Sequence, residues 1–169
     1  MQISVPSDLV DLLTKNPDLE QDLWQYLRSK SNPVLIPQTG DLVVFTDGGA
    51  RGNPGPAASA YVIMQGEQKI AEGGEYLGVA TNNQAEYHAL ELALKVIDPQ
   101  CEKVVFCSDS ELIVKQIQGI YQIKDENLKK YYNRIKLKWK NSFIIKHIPR
   151  SQNKLSDQLV NKIIDQKSN

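Results

Sequence analysis

The chain has 169 residues, 41% of them hydrophobic, enough to bury one sizeable core and too few to suggest a second full-sized domain. Formal net charge is zero, but the charges are segregated: residues 1–40 hold five acids and three bases, 41–112 eleven and four, 113–154 two and eleven, and 155–169 two of each. The neutral total thus conceals an acidic and a basic half, and the lack of a membrane-length apolar run, signal peptide or lipidation motif predicts a soluble, cytoplasmic protein.

In chain order, Leu9, Leu12 and Leu13 suggest a short helix, and Leu19, Leu23, Trp24 and Leu27 a second that starts near Asn16 and Pro17. SNPVLIPQTG then reads as an extended connector, because its two prolines oppose helix. Residues 1–40 are therefore expected to form a helical extension that packs on the rest of the chain or meets a protein partner. Beyond them the expected order is strands at 42–47, 59–65 and 69–77, a helix at 82–97, a strand at 103–108, helices at 110–118 and 126–139, a strand at 143–148 and a helix at 153–166. Three consecutive strands followed by alternating helices and strands imply an α/β domain over 41–169, a mixed five-stranded sheet flanked by helices. Cys101 and Cys107, on one extended segment, lie about 20 Å apart at about 3.3 Å per residue, so both are expected to be reduced.

Four carboxylates stand in distinctive settings. The β-branched and aromatic run Leu42 to Phe45 delivers Asp47 to an outward-pointing position at a strand end, before a glycine-rich turn. Thr81 or Asn82 can cap a helix with apolar Leu90, Leu94 and Ile97, which places Glu86 in its first turns. The buried run KVVFCS leads directly to Asp109, and Asp157 opens the last helix. Converging in one place, these acids would repel one another strongly, and a divalent cation is the natural remedy. Oxygen ligands suit Mg²⁺ or Mn²⁺, and no Cys/His spacing competes for zinc.

The segments TDGGARGNPGPA, NNQAEY, SDSELIV and HIPRSQNKLSD together resemble the successive signatures of type 1 ribonuclease H, over roughly Asp41 to Asp165. The resemblance implies a ribonuclease H-like fold and hydrolysis of the RNA strand of RNA–DNA hybrids with two Mg²⁺ ions, Mn²⁺ being a possible substitute. It implies that Asp47 bridges both ions, that Asp157 joins it on the ion that activates water, and that Glu86 and Asp109 complete the other. The product would carry a 5′-phosphate and a 3′-hydroxyl. By position, Gly49, Ala50, Asn83 and Glu86 match contacts to successive 2′-hydroxyls, and Asn53 and Thr81 match contacts to a phosphate of the DNA strand. Asn53 also reads as ordinary turn chemistry, and capping is an equal alternative for Thr81.

Within the basic half, Lys130, Arg134 and Lys138 recur every four residues on one helix face, suited to a phosphate backbone or to solvent. Tyr131, Tyr132 and Trp139 read as core or rim packing. The sequence departs from the best-known bacterial pattern in lacking a basic protrusion before the last strand. Glu111 stands where that pattern commonly has Gln. His147 is placed like the mobile histidine of the bacterial enzymes, but it continues the alternating strand FIIKHI and is expected to pack structurally. Arg150, in the following loop, is the better candidate to stabilise phosphate charge. A monomer is expected. A catalytically silent binding module on the same fold is the competing reading, and the retention of all four carboxylates argues against it.

Overall fold

The computed structural model describes residues 41–98 and 100–167; the helices and connector expected over 1–40 lie outside them. The elements are β1 (Leu42–Ala50), β2 (Gly55–Gln65), β3 (Gln68–Ala80), α1 (Asn82–Val96), β4 (Val104–Ser108), α2 (Glu111–Ile117), α3 (Glu126–Lys138), β5 (Phe143–His147), a 3₁₀ turn (Arg150–Gln152) and α4 (Lys154–Lys167). They form one mixed sheet in the order β3-β2-β1-β4-β5, with β1, β2 and β3 antiparallel and β1, β4 and β5 parallel. Every strand and helix expected beyond residue 41 is present, with small shifts at the ends.

The largest shifts are in the first hairpin. β1 runs on to Ala50 and β2 begins at Gly55, because the two strands pair from Leu42↔Gln65 through Ala50↔Ala57. Alanine and proline are poor strand formers, so GPAA does not read as a strand alone; pairing with β3, and from Ala57 on with β1 as well, supplies what propensity lacks.

Alternation along β2 decides what each face of the sheet meets. Tyr61 and Ile63 point into the main core with Leu42, Val44, Tyr87, Leu90 and Phe106, while Ala58 and Ala60 point to the opposite face, against Val160 and Ile164 of α4. Small residues allow α4 to approach closely: a Cβ at Gly74 would sit 2.3 Å from Ile163 Cδ1. On the main-core side, Trp139 stacks at 4.8 Å from Phe106 and 5.9 Å from Phe143, and Tyr131 lies 6.4 Å from Tyr87, as expected of packing aromatics. Cys101 and Cys107 are buried and unbridged. No helix among the described residues is long and apolar enough to cross a membrane.

Candidate active site

The site forms where β1 and β4 part. Their parallel ladder ends at Phe45↔Cys107, whereas β1 stays paired to β2 for five further residues. Asp47 falls just past that parting. Contrary to the outward-pointing strand-end expectation, it lies within β1 and is only 8% exposed. Asp109 follows the last residue of β4.

Glu86 arrives from above the sheet on α1. Thr81 caps this helix, with its hydroxyl accepting from Gln84 N at 3.2 Å and the Gln84 side chain accepting from Thr81 N at 2.9 Å. Of the two candidate caps, Thr81 therefore takes the role. Asn82 instead accepts from Ala50 N at 2.8 Å, and its own N–H donates to Asn53 Oδ1 at 3.1 Å, which ties the glycine turn to the start of α1. Backbone-to-backbone contact sets the height of the helix. A Cβ at Gly48 would sit 2.1 Å from the Ala85 carbonyl carbon and 2.2 Å from Glu86 N, and Ser59 Oγ donates to Ala85 O at 2.7 Å.

One oxygen each from Asp47, Glu86 and Asp109 lies within 4.8 Å of the others. Burial raises the Asp47 carboxyl to about 7, with the charges of Asp109 and Asp157 adding to the shift and the Gly48 N–H and Arg150 opposing it. Glu86 is pushed well above the ordinary range, first by burial and then by Asp47 and Asp109. Its Oε2 is buried without a hydrogen-bond partner. Convergent hard oxygens, one of them orphaned, with like charges that resist ionisation, fit a hard divalent cation.

Asp157 is the exception to the expected fourfold convergence. It lines the same cleft from the first turn of α4, but its carboxylate accepts from Arg150 Nη2 at 2.7 Å and from Asn161 Nδ2 at 3.2 Å and stands outside the close trio. A guanidinium compensates its charge, where the trio have mainly one another.

The cleft, of about 470 Å³, is also lined by the expected Gly49, Ala50, Asn83 and Arg150. Asn53 and Thr81 do not line it; Asn53 accepts from the N–H of Asn82, which does, and Thr81 caps α1. His147 does not line it. Nor is it the packed interior group expected from its strand: it is exposed at the end of β5, with Nε2 3.2 Å from the Asp109 carbonyl. Of the basic face, Lys130 and Lys138 are exposed, but Arg134 is held by Glu91 through two hydrogen bonds of 2.9 Å and lies 4.6 Å from the Tyr131 ring. Glu111 is exposed and paired with Lys115 at 2.7 Å.

Sequence reasoning missed several residues here. Arg51 lines the cleft and pairs with Asp165 of α4; Asn161 steadies Asp157; Asn153 joins β1, Asp109 and α4. Polar residues in a loop or on a helix carry no periodic signal. The recurrence of Asn153 and Asn161 four residues either side of Asp157 was the available hint.

A family profile described as reverse transcriptase-like matches residues 45–163. Ribonuclease HI of Halobacterium salinarum is 39% identical over 137 residues, covering 78% of this chain and 69% of the relative. A bifunctional protein of Mycobacterium tuberculosis is 32% identical over 137 residues; there the match covers 73% of this chain but 35% of the relative. Among solved structures, LC11-RNase H1, isolated from compost by a metagenomic approach and crystallised with an RNA/DNA hybrid, matches at 39% identity and a TM-score of 0.70, over 76% of this chain and 100% of that one. With the carboxylates, the glycine turn and the capped α1 all inside the matched region, the chain belongs to the reverse transcriptase-like family as a type 1 ribonuclease H.

Proposed function

We propose that this chain is an endoribonuclease that hydrolyses the RNA strand of RNA–DNA hybrids, using two divalent cations, Mg²⁺ or Mn²⁺, and leaving 5′-phosphate and 3′-hydroxyl ends. The observation that carries the reading is the convergence of Asp47, Glu86 and Asp109 within 4.8 Å, in a cleft that also holds Asp157. Cations held there supply Lewis acidity that activates water and offsets negative charge on the phosphodiester as it is cleaved. Asp47, Glu86 and Asp109 would hold the cations, and Asp157, on the wall of the same cleft, would complete the set. Arg150, already 2.7 Å from Asp157, presents a fixed cation at the mouth of the site, where it can take up charge from the phosphate.

The RNA strand runs past Gly49, Ala50, Asn83 and Glu86, whose backbone and side-chain groups read 2′-hydroxyls. A phosphate of the DNA strand meets Asn53 and Thr81. Lys130 and Lys138 add salt-dependent affinity without sequence preference. The catalytic domain spans 41–169 and acts as a monomer, with residues 1–40 an extension that packs on it or meets a protein partner.

The test is cleavage of one labelled RNA strand that is paired with DNA, paired with RNA or single, with Mg²⁺, Mn²⁺ or chelator present. Metal-dependent cutting of the hybrid, lost in Asp47→Asn, is the expected result. Cutting that persists in chelator overturns the cation mechanism. Tight hybrid binding without cutting replaces the enzyme with a silent binding module.

A further inference from the structure

We infer that Asn153 is a positioning residue for the catalytic cluster, one that closes the split between β1 and β4 and fixes the Asp109 carboxylate for cation binding. The inference rests on the cation-binding role given to the carboxylates above.

Past Phe45, β1 has no ladder partner on its β4 side, so the Thr46 carbonyl is left facing the gap. Asn153 Nδ2 fills it. That nitrogen donates to Thr46 O at 2.9 Å and to Asp109 Oδ1 at 2.8 Å, so one amide bridges the residue before Asp47 and the ligand that ends β4. An amide has two N–H donors, and both acceptors are matched.

The amide is also held from behind. Ser156 Oγ lies 2.6 Å from Asn153 Oδ1 and 3.1 Å from its carbonyl, so the oxygen end is committed to α4 and the nitrogen end faces the carboxylate. Asn153 is 1% exposed and Ser156 0%. Asn153 O further accepts from Asp157 N at 3.1 Å, which brings the start of α4, and with it Asp157, into the same frame. One buried side chain thus links Thr46, Asp109 and the Asp157 helix. It lies behind the carboxylates and is not among the groups that line the cleft.

A residue of this kind acts on cation affinity and on turnover through the ligand it holds. It should leave substrate capture nearly untouched. The experiment titrates Mn²⁺ calorimetrically into the substrate-free full chain as wild type, Asn153→Ala and Ser156→Ala, with melting temperatures in chelator and steady-state kinetics on a hybrid. Asn153→Ala should weaken Mn²⁺ binding by roughly 10–100-fold and lower kcat, with KM for the hybrid nearly unchanged. Ser156→Ala, which frees the amide to turn, should weaken binding less, in the same direction.

Unchanged Mn²⁺ affinity in a folded Asn153→Ala protein, even one that melts earlier, reduces Asn153 to a structural residue and overturns the inference. Should Asn153→Ala fail to fold, unchanged affinity in Ser156→Ala overturns it instead. A wild type that binds no Mn²⁺ removes the cation reading itself, and the positioning role with it.

Discussion

Replacing Asp47 with asparagine should abolish cleavage yet stabilise the cation-free protein. Asp47 titrates at about 7 in the fold against an ordinary value of 3.8. Between those values the folded protein holds a proton that the unfolded chain releases. The contribution of Asp47 to stability is therefore greatest below pH 4, falls as pH rises through about 7, and stays low above it. At about 1.4 kcal/mol per pH unit the penalty reaches roughly 4 kcal/mol at pH 8, an upper bound because Glu86 and Asp109 share the same repulsion.

Asparagine cannot ionise, and its amide oxygen can still accept from the Gly48 N–H. In chelator at pH 8, Asp47→Asn should melt about 5–15 °C above wild type, an advantage that shrinks towards zero near pH 4. Excess Mg²⁺ should raise the melting temperature of wild type and barely move the variant. Thermal unfolding of both proteins from pH 4 to 8, with and without cation, is the assay. A variant that melts no higher than wild type at pH 8 in chelator, or one whose advantage does not vary with pH, refutes the reasoning.

Arg150→Ala should slow turnover by roughly 100-fold, since a fixed cation beside the reacting phosphate is lost, whereas His147→Ala, outside the cleft, should change it little; steady-state rates in the reverse order would restore the histidine. Gly48→Ala should lower both stability and activity, because its Cβ would meet the α1 backbone at 2.1 Å and lift Glu86 from Asp47; the expected loss is about 1–3 kcal/mol or more, read from urea unfolding. Lys130→Ala and Lys138→Ala should each weaken hybrid binding and reduce its salt slope by about 1, measured by titration at several salt concentrations. Arg134→Ala should instead act mainly on melting temperature, as its guanidinium is committed to Glu91, which is 12% exposed at the side chain. A salt slope as altered in Arg134→Ala as in the lysine variants would return that residue to the binding face.

Local chemistry wrote much of this protein plainly. The alternating or continuous apolar runs at Leu42–Phe45 and Val104–Cys107, and the helical recurrence of Leu90 and Leu94 behind Thr81, appear in the structure as β1, β4 and a capped α1. Of the four carboxylates, Asp109 follows β4 and Asp157 lies in the first turn of α4, as the flanking sequence implied, whereas Asp47 lies inside β1 and Glu86 inside α1. What sequence could not decide depends on partners far along the chain. Whether Ala57 and Ala58 form strand depends on β1 and β3 flanking them. Arg134 is removed from the basic face by Glu91, 43 positions earlier. Asn153 gains its role from Thr46, 107 positions away, where two strands part. Asp157 is the local exception: near neighbours, Arg150 and Asn161, hold it outside the close trio. Periodicity and capping act within a turn or two of backbone, so they mark elements and the residues at their ends. Which polar groups meet, and which charge is left facing another, is settled only when packing brings distant segments together.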